Sequence, residues 1–177
     1  MYSFREIAKK VVLSKKVIAI YAQSATEEFQ DKSVEEIMDC IEGIMEDVPL
    51  GYENYEALVI ARLKVPTTNE IIYIHLEIDP LASEDPTKAM NLAECAGKSI
   101  IENKANVPFL EDDGLIKNVY TIWTMIDYQN KYKNGQYYRH IFHDAPCELD
   151  KQNNEKDYRL TIALFYCSCV VKQQEIN

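Results

Sequence analysis

Apolar residues recur at helical spacing in the first forty positions, then shift to the shorter period of strands. Phe4, Ile7, Ala8, Val11 and Val12 line one helical face. Ser3 and Glu6 stand ahead of them as a capping box, in which serine and glutamate each satisfy an orphan helix amide. A second run, Val17 to Phe29, either continues this helix or begins a new one after Ser14. Ser33 and Glu36 repeat the capping signature before the apolar face Val34, Ile37, Met38 and Ile41, and Gly43 reads as the break.

Beyond Tyr55 the character changes. Leu58-Val-Ile-Ala-Arg-Leu-Lys-Val65 predicts a strand, Pro66-Thr-Thr-Asn69 a turn, and Glu70 to Glu77 the returning strand of an antiparallel hairpin. Asp85-Pro86 reads as a helix start, followed by the small buried stripe Ala89, Leu92, Ala93, Ala96 and Ile100. Pro108 to Gly114 is an acidic loop, and Ala145 to Lys156 is polar and irregular. Ile116 to Ile126 predicts a central strand with Tyr120 and Trp123 in the packing, Tyr137 to Phe142 a short one, and Leu160 to Val171 the last. The order predicts one α/β domain over 1–177, with N-terminal helices at 1–47 and a mixed β-sheet flanked by helices at 52–171.

Charge narrows the function. The 177 residues carry a formal net charge of −10, and between Glu27 and Glu56 there are eleven acids against one base, Lys32. Counterion release drives nucleic-acid binding through basic surfaces, so direct DNA binding is disfavoured. The acids Glu35, Glu36, Asp39, Glu42, Glu46 and Asp47 are either a solvated face or a surface for a basic protein partner. The twelve tyrosines add candidate recognition surface. Lys9, Lys10, Lys15 and Lys16 read as a solvated helix face. Five scattered cysteines without a CxxC pair fit buried thiols in a reducing compartment. No apolar segment approaches the length of a membrane span, so the expected setting is cytoplasmic, without membrane partners. Self-association stays open.

The candidate chemistry lies in Tyr73-Ile-His-Leu-Glu-Ile-Asp79, whose period of two puts Glu77 and Asp79 on one face. A carboxylate pair at a strand end can hold Mg²⁺ or Mn²⁺ beside a phosphodiester. His75 shares that face and reads as a structural histidine, while His140, His143 and Asp144 form only a loose grouping.

The chain resembles the PD-(D/E)XK nuclease superfamily, and within it the bacterial nuclease/transposase-related group. The resemblance rests on Ala25-Thr-Glu-Glu-Phe-Gln-Asp-Lys-Ser-Val-Glu-Glu-Ile-Met-Asp-Cys-Ile41, Ile60-Ala-Arg-Leu-Lys-Val-Pro66, the segment ending at Asp79, and Ile116-Lys-Asn-Val-Tyr-Thr-Ile-Trp-Thr-Met-Ile-Asp127. It implies a nuclease-like core and departs at the active site. Leu58 stands where the family has a metal-binding aspartate, Glu77 matches its glutamate, and Asp79 replaces its glutamine. The wider superfamily often has lysine at that last position.

The expectation is a non-catalytic, protein-binding domain with a retired nuclease site and no cofactor. A concrete version is a phage or mobile-element inhibitor of a nucleic-acid-handling defence enzyme. The alternative is a Mg²⁺- or Mn²⁺-dependent endonuclease with Glu77 and Asp79 as metal ligands, Glu56 filling the missing position, and Lys98 or Lys88 assisting the phosphate.

Overall fold

The computed structural model describes residues 2–50, 56–79, 86–102, 118–127, 137–144 and 158–168. Both capping boxes form. Ser3 Oγ accepts from the Glu6 amide and the Glu6 carboxylate accepts from the Ser3 amide, starting α1 (Phe4–Val12). Ser33 and Glu36 do the same for α3 (Val34–Asp39). Between them α2 (Lys15–Ala25) is a separate helix that begins after Ser14.

The predicted helical segment 1–47 requires a correction. α3 ends at Asp39, and Ile41–Pro49 is an edge strand, β1. Ile41 and Val48 are buried while Glu42 and Glu46 face solvent, so the acids that disguise this segment occupy the outward positions of a half-buried strand. The strand also departs from regular pairing. Its register with β2 (Glu56–Lys64) shifts between Ile41 and Gly43, giving Glu42 no partner position. The Glu42 carboxylate pairs instead with the Arg62 guanidinium.

β2 and β3 (Ile71–Asp79) form the predicted hairpin. Asn69 closes its turn at φ 58, a left-handed conformation that asparagine tolerates. β4 (Asn118–Asp127) lies parallel to β3, β6 (Tyr158–Ser168) parallel to β4, and β5 (Tyr137–Asp144) antiparallel along the outer edge. The result is one six-stranded mixed sheet in the order β1-β2-β3-β4-β6-β5. The β3–β4 crossover contains α4 (Pro86–Glu102), which begins at the predicted proline. The acidic loop at 108–114, the segment 145–156, and Asp85, Cys147 and Cys169 lie outside the described residues.

Each sheet face has its own core. Ala8, Val12, Ile18, Ala22, Phe29 and Ile37 pack the N-terminal helices against Val59, Ala61, Ile72, Ile74, Leu76 and Ile122. On the opposite face Ala89, Ala93, Ala96 and Ile100 of α4 meet Tyr73, Val119, Trp123, Leu160 and Ile162. The small residues allow close approach. At Gly97 an added Cβ would lie 2.3 Å from Leu160 Cδ1 and 3.0 Å from Thr121 Oγ1.

The α2–α3 connection is fastened to the sheet by two adjacent acids. Arg159 donates a bidentate pair to Glu27, at 2.8 Å for each bond. Tyr120 donates to Glu28 at 2.6 Å, and Asn118 donates to the other Glu28 oxygen at 2.9 Å. Burial, followed by the Glu28 hydrogen bond and charge, pushes the Tyr120 phenol well above its ordinary pKa.

Gly97→Val is expected to destabilise the fold by about 2 kcal/mol, because overpacking exceeds the helix-propensity gain. Urea unfolding that is unchanged or strengthened would contradict this packing. Tyr120→Phe is expected to cost about 1–3 kcal/mol by leaving the Glu28 carboxylate short of a donor, read in the same experiment.

Candidate functional site

β2 begins at Glu56 and β3 ends at Asp79, so their antiparallel pairing brings Glu56, Glu77 and Asp79 toward one end of the sheet. The C-terminal half of β1 reaches the same end, with Glu46 opposite Val59 and Val48 opposite Ala57. Here β2 breaks strict alternation. Leu58 and Val59 both join the core beneath the N-terminal helices, while Ala57 and Ile60 join the α4 core. The Leu58 amide donates to Glu77 Oε2 at 3.2 Å. Leu58 therefore does contribute a polar group to the site, through its backbone.

Glu77 is only 7 % exposed, and a carboxylate removed from water needs nearby donors or cations. α1 supplies the cation. Arg5 Nη1 lies 3.9 Å from Glu77 Oε1, while Nη2 donates to Asp47 Oδ1 at 3.2 Å and to the Glu56 carbonyl at 3.1 Å. One turn later, Lys9 pairs with Asp47 and lies 3.1 Å from Glu46 Oε2. Asp47 has φ 50, a left-handed kink within β1 at the residue where both cations meet. Together the contacts bridge α1 to β1, β2 and β3.

His75 completes the inner side. It is fully buried, sits edge-on to Trp123 with ring centroids 6.3 Å apart, and brings Nε2 to 3.5 Å from Glu77 Oε2. That separation is too long for a good hydrogen bond, and neither ring nitrogen makes one.

Of the expected catalytic set, Glu77 is at the centre of the site. Glu56 is exposed and contributes its carbonyl oxygen to Arg5. Asp79 ends β3, and its side chain lies outside the described residues. Lys98 pairs with Glu94 one turn back on α4 at 2.8 Å, and Arg5 of α1 places a cation 3.9 Å from Glu77. Among the described residues, no group of three or more His, Cys, Asp or Glu side chains is placed to share a metal ion.

The expected partner-binding acids divide. Glu36 belongs to a helix cap, Glu42 pairs with Arg62, and Glu46 and Asp47 engage α1, while Glu35 and Asp39 lie exposed on α3. Arg5 and the Leu58 amide escaped the sequence reading because long-range contacts assemble them. Lys9, expected with Lys10, Lys15 and Lys16 on a solvated helix face, is instead half-buried and paired with Asp47 and Glu46, while the other three are exposed. Among the described residues no helix is long and apolar enough to cross a membrane. No family model, curated protein or solved structure matches this chain.

The Lys9 hydrogen bond, with a smaller contribution from Arg5, holds the Asp47 pKa below its ordinary value against the opposing effect of burial. Lys9 is correspondingly raised, chiefly by its bonds to Asp47 and Glu46. A depressed folded-state carboxyl pKa contributes stability above the unfolded value, about 4, and loses it as pH falls through the folded value. Asp47→Asn is therefore expected to flatten the loss of stability below about pH 4, measured by urea unfolding across pH. Identical acid limbs in the two proteins would show that the ion pairs contribute nothing.

Proposed function

We propose that this chain is a non-catalytic protein-binding domain on a nuclease-like α/β core, with an acidic surface that engages a partner's basic surface. The observation that carries this reading is the engagement of Glu77 by the protein's own groups, the Leu58 amide and Arg5. A nuclease carboxylate must present an oxygen to a metal ion beside the phosphate. Here Oε2 already accepts from the backbone, and Oε1 faces a guanidinium.

The binding surface centres on α3 and the adjoining edge strand. Glu35, Asp39, Glu42 and Glu46 are exposed there, in a chain whose net charge is −10. Partial neutralisation of Glu42 and Glu46 leaves α3 as the strongest negative feature of this face. Such a surface steers encounter with a cationic channel, while apolar contacts supply much of the affinity. Enzymes that grip DNA or RNA present channels of this kind, and an inhibitor of one is the concrete form of the proposal.

The test combines cleavage with inhibition. Purified protein is expected to leave single- and double-stranded DNA and RNA intact with Mg²⁺ or Mn²⁺, and Glu77→Ala to behave likewise. Inhibition of nucleic-acid-cleaving enzymes with basic channels is expected to weaken about tenfold for Glu35→Lys with Asp39→Lys, and further with added salt. Metal-dependent cleavage lost in Glu77→Ala would overturn the reading in favour of an endonuclease. Failure to bind or inhibit any such enzyme would remove the partner class.

A further inference from the structure

Exposed apolar side chains gather in one part of this fold. Among the described residues, the large hydrophobics at the surface are Tyr2, Phe4, Ile7, Val11 and Ile20, all on α1 and α2 or just ahead of them. Phe4, Ile7 and Val11 follow one another at spacings of three and four, so they form a single stripe along the outer side of α1. Ala8 and Val12, on the adjoining side, join the core. Positive charge collects in the same segment. Residues 1–26 hold five of the 19 bases and one of the 29 acids, Glu6, whose carboxylate accepts from the Ser3 amide in the helix cap. Arg5 and Lys9 pair with acids of β1, whereas Lys10, Lys15 and Lys16 are exposed. Lys10 stands one turn after Ile7, with Nζ 3.5 Å from the centre of the Tyr2 ring, and Lys16 stands one turn before Ile20. Apolar and cationic side chains are interleaved here, on a chain that is otherwise acidic.

We propose that the outer face of α1, with the exposed lysines of α1 and α2, rests on an anionic lipid surface. A helix lying in the plane of a membrane interface combines apolar side chains that enter the acyl boundary with cations that meet anionic headgroups. Such contact requires no spanning segment. Tyr2 carries a ring and a hydroxyl suited to the headgroup level, and lysine stems cover apolar surface while their ammonium groups stay in water. The stripe stands on a convex helix, which a deformable lipid layer can enclose without a preformed groove. Three apolar side chains adhere weakly by themselves, so the lysines make the contact depend on anionic lipid. The rest of the chain, with 28 acids against 14 bases, is repelled by the same surface, which turns the N-terminal helices toward it. Two copies joined through this stripe would instead bring their lysine clusters together, so charge favours the lipid.

Sedimentation with vesicles of mixed phosphatidylglycerol and phosphatidylcholine, against phosphatidylcholine alone, reads the contact directly. The wild type is expected to bind the anionic vesicles about tenfold or more tightly than the neutral ones, and to be released by added salt. Ile7→Asn with Val11→Asn is expected to weaken binding about tenfold. Both side chains are exposed, and an unchanged urea-unfolding midpoint will show the fold intact. Lys10→Gln with Lys16→Gln is expected to weaken binding by about tenfold as well. Lys64→Glu makes the same change in net charge at an exposed position on β2, and is expected to alter binding by less than about threefold. The lysine variants decide the matter even where the apolar one fails to fold. A folded wild type that ignores anionic vesicles, an intact apolar variant that binds normally, or equal losses from the paired lysine variant and Lys64→Glu would overturn the proposal. A dimer in analytical ultracentrifugation that the apolar variant dissolves would give the stripe to a second copy and overturn it too.

Discussion

The arrangement at the carboxylate end of the sheet follows from the burial of Glu77. A carboxylate at 7 % exposure between two strands is costly unless donors meet its oxygens. The Leu58 amide meets one, where β2 departs from regular alternation. Arg5 forms an ion pair with the other at 3.9 Å and donates to Asp47 and the Glu56 carbonyl, so one side chain ties α1 to three strands. Ala8 and Val12 of the helix join the core beneath, and the ion pairs add to that apolar anchorage.

Local signals in the chain were the ones most readily read. Both capping boxes depend on residues three apart and form as their spacing implies. The hairpin, the stripe of α4 and the central position of β4 likewise follow from short-range periodicity. β1 was hidden because its outward positions are acidic and its register is interrupted at Glu42, which leaves no clean alternation. Local propensity continued α3 through a segment where pairing with β2 prevails. At the site, Glu77 stood out in the sequence, whereas its partners did not. Arg5 lies 42 residues from Asp47, and Leu58 contributes an amide that every non-proline residue possesses.

The segment that carried much of the resemblance has a structural task in this fold. Glu27 and Glu28 fasten the α2–α3 connection to Arg159, Tyr120 and Asn118, drawing the N-terminal helices onto the starts of β4 and β6. Phe29 beside them is fully buried. The fold uses this clamp whether or not the distant strand end performs chemistry. Shared motifs at this position therefore bear on architecture more directly than on activity.

The placement of positive charge sharpens that distinction. With 29 acids against 19 bases, the chain has few cations to distribute. Arg5, Lys9, Arg62, Lys98 and Arg159 each lie against an acid within the domain. These pairs tie α1 to β1, β1 to β2 and the α2–α3 connection to the sheet, and one lies within α4. Because short-range pairing largely cancels the contributing charges, the field beyond the surface reflects the excess acids, including Glu35 and Asp39. The interactions that stabilise this fold also leave Glu35 and Asp39 of α3 exposed on its exterior.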